Sequence, residues 1–317
     1  MTRLAAHAVL AALALGVFIP APAHATFSIV ACDATRACGA AVATNNLAVV
    51  ASVIDARAGV GAVASQFETN PHHTAEALRQ LQAGLSTPQA LAAVLARDGD
   101  FEGQDISYRQ VGLVAANGAG AVHTGARALA SSWAGALSGD GYSIQGNGLA
   151  GERVVTAMRD AFLGSGGPLA ERLLAAVEAG EAAGGQANGR LSAALLVRTE
   201  EGGWQDVDLR VDASSSPLAD LRRLLGMRRA IDALAGAERA WRKGERRLAR
   251  QRLAQATALA PEWDRVWRRV ARLHLAMGEV AEAKDAFATF ARLNPAWATI
   301  ERTDSHYAVI ADTPAQR

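Results

Sequence analysis

The first part of the chain, up to residue 66, is a series of short, nearly unbroken apolar runs. They cover residues 26–32, 38–44, 47–54 and 59–66 and are built from Ala, Val and Gly with few polar interruptions. A strand with one wet face alternates apolar and polar residues, whereas continuous small apolar runs predict strands buried on both faces. The period then changes. Residues 74–83 and 88–97 carry apolar positions at helical spacing, the second stretch opened by Ser86 with Gln89 three residues on as a capping box. Strand patterns return at 111–116 and 120–125 around an Asn117-Gly118 turn, and again at 141–146. Helical stretches at 152–163 and 169–179, a hairpin of 191–199 with 205–211, and a helix at 218–225 complete this section. Two helix pairs separated by doubly buried strands predict an α+β protein built as a four-layer α/β/β/α sandwich, with a two-layer α+β domain as the alternative.

From Met227 the pattern is helical throughout, rich in Arg, Ala, Leu and Trp. A repeat is present here. Ala-Leu-Ala-Pro261-Glu-Trp263 recurs as Arg-Leu-Asn-Pro295-Ala-Trp297, a period of 34, and the same register matches Ala237 with Ala271, Gly244 with Gly278, Ala249 with Ala283 and Leu253 with Phe287. Small residues at a helix crossing, a bulky one in the groove and Pro ending the second helix resemble the tetratricopeptide repeat; an unrelated pair of helical hairpins is the other reading. Two units are fewer than such arrays usually need, so the pair is expected to lean on the preceding domain or on a partner. The division is therefore residues 1–25, 26–226 and 227–317, the last a small all-α domain. The arginines between 239 and 252 are interspersed with Glu and Ala and read as a solvated helix face.

The start of the chain changes the picture of the compartment. Arg3, an apolar run over residues 4–19 and an ending in Ala23-x-Ala25 have the form of a secretory signal peptide, with a membrane anchor as the alternative. Cleavage after Ala25 makes Thr26 the first residue of a periplasmic or secreted protein. No later run approaches the roughly 18 apolar residues of a spanning helix, so no membrane span is expected after processing. Cys32 and Cys38 flank a turn between two strand runs, and in an oxidising medium a disulfide clamping the hairpin is expected, though the spacing also admits two free thiols. With 32 Lys+Arg against 31 Asp+Glu the formal charge is +1, which argues against a nucleic-acid partner.

Familiar cofactor signatures are missing from the sequence: there is no phosphate loop, no His-Glu-x-x-His, no Gly-x-Ser-x-Gly elbow and no paired-cysteine zinc pattern, so no cofactor and no metal is expected. Adjacent His72 and His73 point to different sides of an element and do not suggest a shared metal. What remains is Thr26. Its hydroxyl needs a base, and a free α-amine, titrating at about 7.7 to 8.0, is partly neutral at physiological pH and sits on the same residue. A neighbouring cation would lower that value further. Lys243 and Lys284 are the only lysines, so the cation must be an arginine, and Arg57 is the best placed by sequence. The plain alternative is that Thr26 is just the first strand residue exposed by processing.

A set of ordered motifs carries a resemblance. Thr26-Phe-Ser-Ile-Val-Ala31 with Asp33, residues 39–43 and 56–64, Gln66 with Thr69-Asn-Pro71, His123-Thr-Gly125, Gln145-Gly-Asn147, and residues 178–185, 192–197 and 207–212 resemble the family known as domain of unknown function 1028. That family is grouped with the N-terminal-nucleophile hydrolases, which cut amide bonds with an N-terminal Thr, Ser or Cys in a sandwich of this kind. The resemblance implies an amide or small peptide as substrate and Thr26 as nucleophile. Gly146 and Asn147 become candidates for stabilising the oxyanion, and Arg57, Gln66, Asn70 and His123 for the pocket wall; His123 reads equally as a core histidine and Asn70 as a turn residue. The chain departs from the family pattern at Gln186, Leu191 and Ser214, where polar positions are altered. A catalytically silent envelope protein that docks a partner through its helical repeats is the competing reading.

Overall fold

A computed structural model describes residues 25–48 and 50–311, so all of the expected leader but Ala25 lies outside the described residues. The chain opens with a hairpin of β1 (Thr26–Cys32) and β2 (Cys38–Thr44), followed by α1 (Val50–Val53), β3 (Ile54–Arg57) and β4 (Gly61–Phe67). The pair α2 (His72–Gln82) and α3 (Thr87–Ala96) precedes β5 (Arg109–Ala115), β6 (Gly120–Thr124), α4 (Ala126–Leu129), β7 (Gly135–Gly139) and β8 (Tyr142–Asn147). Then come α5 (Arg153–Gly164), α6 (Leu169–Ala182), β9 (Ser192–Arg198), β10 (Val207–Val211) and the long α7 (Pro217–Arg242). The strands form two antiparallel sheets, one ordered β10-β9-β2-β1-β8-β7 and one ordered β3-β4-β5-β6.

The layers follow from the alternation of side chains along each strand. Phe27, Ile29 and Ala31 of β1 face α5 and α6, where they meet Met158, Leu173 and Val177. The intervening Val30 faces the other sheet with Ala40, Val42, Ala62, Ala64 and Val114. On the far side of the smaller sheet, Val63 and Leu113 pack under Leu78, Leu91 and Val94 of α2 and α3. This is the expected four-layer sandwich, and it accounts for the alanine-rich strands: small side chains let two sheets approach while both faces of each stay dry.

Two segments differ from the sequence reading. Residues 47–54 are not one strand: Ala48 turns with φ +50, its N–H donates to Asp212 O, and α1 precedes a strand that starts only at Ile54. β2 already has β1 and β9 on its two edges, so the chain must cross to the other sheet here. β7 was not expected, because a glycine-framed Gly-Ala-Leu-Ser-Gly run carries little strand signal. A Cβ at Gly135 would lie 2.5 Å from the Trp133 ring and one at Gly139 2.6 Å from that of Tyr142, so packing requires those glycines.

The helix expected at 218–225 continues without a break to Arg242. Leu218, Leu221 and Leu225 belong to the core beneath the larger sheet, whereas Ala230, Ala233, Leu234 and Ala237 belong to a separate helical core. The exchange falls at Gly226, where a Cβ would stand 2.6 Å from Leu259 O of α8 (Arg246–Leu259). With α9 (Asp264–Ala276) and α10 (Val280–Leu293), the second half of α7 and α8 form two helical hairpins in register at the period read from sequence. Gly244 and Gly278 turn them with φ +76 and +77, and Ala237, Ala271, Ala249 and Ala283 are fully buried at the crossings. α11 (Pro295–Glu301) and α12 (Ala308–Ala311) cap the second hairpin, with buried Tyr307 packed 4.9 Å from Phe287. No helix among the described residues is long and apolar enough to cross a membrane.

Cys32 and Cys38 face each other in the β1–β2 register and are joined as a disulfide. A second staple is buried. The Asp98 carboxylate accepts from Arg109 Nε at 2.8 Å and has His73 Nε2 within 2.8 Å, while Arg109 also donates to the carbonyls of Glu68, Phe101 and Gln104. His73 Nδ1 lies 3.2 Å from Ser65 Oγ. Ser65, His73 and Asp98 thus stand in the order of a nucleophilic triad, but His73 Nε2 makes no hydrogen bond, Ser65 is fully buried and Asp98 is engaged by Arg109. The cluster ties α2, α3 and the 98–108 loop to β5.

Burial raises the Asp98 pKa, but hydrogen bonds from Arg109 and Asn70 and the Arg109 charge outweigh it and hold the carboxyl below its ordinary value. Burial pushes His73 below its ordinary 6.5, with Asp98 only partly opposing it. Both shifts make the unfolded chain bind protons first, so stability is complete above about pH 7, falls below about pH 6.5 as unfolded His73 protonates, and falls again below about pH 4 through Asp98. Urea midpoints at pH 7.5 and 5.5 are expected to differ in the parent and to converge in His73→Gln. Asp98→Ala is expected to cost about 3–5 kcal/mol by stranding Arg109. Replacing both cysteines by serine is expected to lower stability by about 2 kcal/mol, measured by denaturant titration, since the bridge closes only a short loop.

Candidate functional site

One end of the larger sheet carries a row of polar side chains. The β1–β2 register sets Thr26 opposite Thr44, the β1–β8 register sets it opposite Asn147, and β2 sets Thr44 opposite Ser192. A threonine, a serine or an asparagine thus stands at this level on four adjacent strands. All four are buried, Thr26 being 3% exposed. The Thr26 N–H donates to Asn147 Oδ1 at 3.2 Å, and Thr26 Oγ1 lies 2.9 Å from Thr44 Oγ1. Thr44 Oγ1 donates at 2.8 Å to the carbonyl of Ala25 and accepts from Asn46 N at 3.2 Å. A hydroxyl has one proton, so with that of Thr44 committed to Ala25, the Thr26 hydroxyl is the donor between the two threonines.

Behind this row, the inner face of the second sheet supplies two glutamines. Gln66 on β4 donates to Thr26 O at 3.0 Å and to Gln110 Oε1 at 2.8 Å, and accepts from Ser28 Oγ at 2.7 Å. Gln110 on β5 accepts from Asn147 Nδ2 at 2.9 Å and donates to Gly146 O at 3.0 Å. Each buried amide is therefore fixed by the next. Every side chain in these contacts is a neutral hydroxyl or amide, and no group of three metal-binding side chains occurs among the described residues.

The structure brings together Thr26, Asn147, Gln66 and Gly146 of the residues picked out from sequence. Gly146 contributes its carbonyl and its small size, a Cβ there lying 2.5 Å from Leu149 Cδ1. Arg57 does not join them. It is exposed at the far end of β3, pairs with Gly61 and donates to Gln82, whereas Thr26 is met by Gln66, five residues along β4. At strand spacing that is about 17 Å, so Arg57 is no cation beside the Thr26 nitrogen. Asn70 stands just before α2, accepting from His72 N and donating to Asp98, in the buried charged cluster. His123 points away from the glutamine face: its neighbour Thr124 accepts from Gln110, and His123 Nε2 contacts Ile106 O on the outside at 3.0 Å.

Thr44, Gln110, Ser28 and Ser192 were missed. Thr44 had a usable signal, because counting six residues outward from each paired cysteine arrives at Thr26 and Thr44 together. Gln110 had none, since its role comes from packing between sheets. The departures from the family pattern gather at one rim. Leu191 N donates to Thr44 O, Leu191 O accepts from Ser214 N, and Gln186, buried with neither amide atom hydrogen-bonded, bridges to Leu149 two residues past Asn147.

Residues 26–221 match the model of a family of unknown function, DUF1028. The crystal structure of a Silicibacter pomeroyi protein assigned to the same family is similar, with a TM-score of 0.57 and 32% sequence identity over 63% of this chain and 84% of that one. Among curated proteins none matches. The family match opens at Thr26 and ends inside α7, leaving the helical hairpins beyond it. By the extent of that match, the chain belongs to the DUF1028 family.

Proposed function

We propose that the chain is an exported amide hydrolase in which Thr26, freed by removal of residues 1–25, provides both nucleophile and base. The observation that carries this reading is the hydrogen-bonding at the Ala25–Thr26 link, where Asn147 holds the nitrogen and Thr44 reaches both the hydroxyl and the preceding carbonyl. Two independent features support the same bond as the processing point: the Ala23-x-Ala25 ending and the start of the family match at Thr26.

The chemistry follows from the partners present. Once the bond to Ala25 is cut, the Thr26 nitrogen becomes an amine; Asn147 Oδ1 takes one N–H and leaves the lone pair directed elsewhere. Loss of the Ala25 carbonyl releases the Thr44 proton. Thr26 Oγ1 then attacks a substrate amide carbon while its proton passes to the α-amine, and Thr44 Oγ1 donates to the developing oxyanion at the place the Ala25 oxygen had held. The C–N bond breaks as the ammonium returns its proton to the leaving amine. Water, deprotonated by the same amine, hydrolyses the threonyl ester to a carboxylic acid and regenerates Thr26. The glutamine lattice keeps this constellation from relaxing between steps. A periplasmic or secreted location and a small neutral amide or peptide substrate complete the proposal.

Edman degradation of the exported protein is expected to begin at Thr26, and a start elsewhere would remove the basis of the mechanism. In assays over a library of small amides, Thr26→Ala is expected to abolish turnover and Thr26→Ser to retain it. Thr44→Val is expected to lower kcat about a hundredfold with KM little changed, as for loss of one oxyanion donor. The rate is expected to climb from about pH 7 to about pH 8 as the amine loses its proton.

A further inference from the structure

Away from Thr26, a groove of about 420 Å³ runs along the junction of the sandwich and the helical hairpins. Its floor is apolar, made by Ala170 of α6, Val207 of β10, and Leu225 and Ala233 of α7. Its walls carry four arginines: Arg228, Arg229, Arg239 and Arg252. Two are neutralised. Arg229 pairs with Glu171, itself shared with Arg222, and Arg228 pairs with Asp232 at 2.6 Å. The other two have no carboxylate within ion-pair distance among the described residues; Arg252 donates only to the neutral Gln255. Packing brings them together. The Arg252 stem lies over Gly236, 3.7 Å from where its Cβ would be, and Arg239 is one turn further on the same helix.

A third feature sits at the mouth of the groove. Trp204 is 68% exposed on the loop before β10, beside the lining residue Gln205, and Arg228 donates to its carbonyl. An apolar floor whose walls carry two unpaired guanidinium groups, with an exposed aromatic residue next to one of the lining positions, is a surface suited to a ligand with both characters. Guanidinium groups recognise planar oxyanions by paired N–H donors, and the low-dielectric floor strengthens that attraction.

We infer that this groove binds a carboxylate carried on an apolar stem, the head taken by Arg239 and Arg252 and the stem laid on Ala170, Val207 and Leu225 beside Trp204. The site is independent of Thr26. Free organic acids and the ends of short peptides both carry this chemistry, and the two sources are separable. Isothermal titration of the full processed protein with hexanoate, N-acetyl-leucyl-leucine and the amide of each reads the carboxylate directly. At least one acid is expected to bind with its amide about tenfold or more weaker, and the acid that binds identifies the source. The Arg239→Gln, Arg252→Gln double variant is expected to lose that affinity at unchanged Tm and unchanged hydrolysis. Equal binding of acid and amide, binding of neither acid, or full affinity in the double variant would overturn the assignment.

Discussion

The site depends on one constraint: on a strand buried on both faces, a polar side chain left unpaired costs free energy that water cannot restore. β1 faces helices on one side and a second sheet on the other, so Thr26 and Ser28 have no water to turn to. Each must be met by a partner. Thr44 meets the Thr26 hydroxyl within the sheet and Gln66 meets Ser28 from across the gap, while Gln110 binds Gln66 and Asn147 and so fixes the acceptor of the Thr26 N–H. An amide or hydroxyl buried without a partner costs on the order of 1–3 kcal/mol, so the network is held in one arrangement by the cost of every alternative. A catalytic group placed in such a lattice arrives already oriented.

The same constraint explains what the sequence could and could not disclose. Double burial shows as unbroken runs of Ala and Val, so the sandwich and its layers are legible in the amino-acid sequence. So is the repeat, because helix crossings demand small residues at fixed intervals. The strand expected at 47–54 was wrong because the apolar pattern there serves a crossing between sheets, which has no period of its own. α7 was cut short because a helix that passes from one core to another changes its apolar face at Gly226, and a change of face resembles an end. Arg57 was chosen by nearness along the chain, but β3 carries it to the opposite end of the sheet from Thr26. Gln110 is the instructive omission: next to Arg109 it looks like a polar strand start, and only the facing of two sheets makes it a hub.

Two buried polar assemblies occupy opposite faces of the smaller sheet, and their composition separates their roles. The one toward the larger sheet is all neutral, touches the strand head and ends at the Ala25–Thr26 link. The one toward α2 and α3 is charged, centred on the Arg109–Asp98 pair and sealed. Adjacent residues supply both, Ser65 beside Gln66 and Arg109 beside Gln110, so the strand period alone assigns each side chain to one face or the other.

The unbroken course of α7 has a further effect. The family match stops within this helix, so the hairpins grow out of the last element of the sandwich with no tether between them. Severed at Gly226, α7 would be a stub of about ten residues, too short to hold its own helicity, with Leu221 and Leu225 at its frayed tip. Hairpins and sandwich are thus bound to melt in a single cooperative transition, and a torque applied to the hairpins by anything they carry would be delivered, undamped by any hinge, to the edge of the sheet that ends in β10.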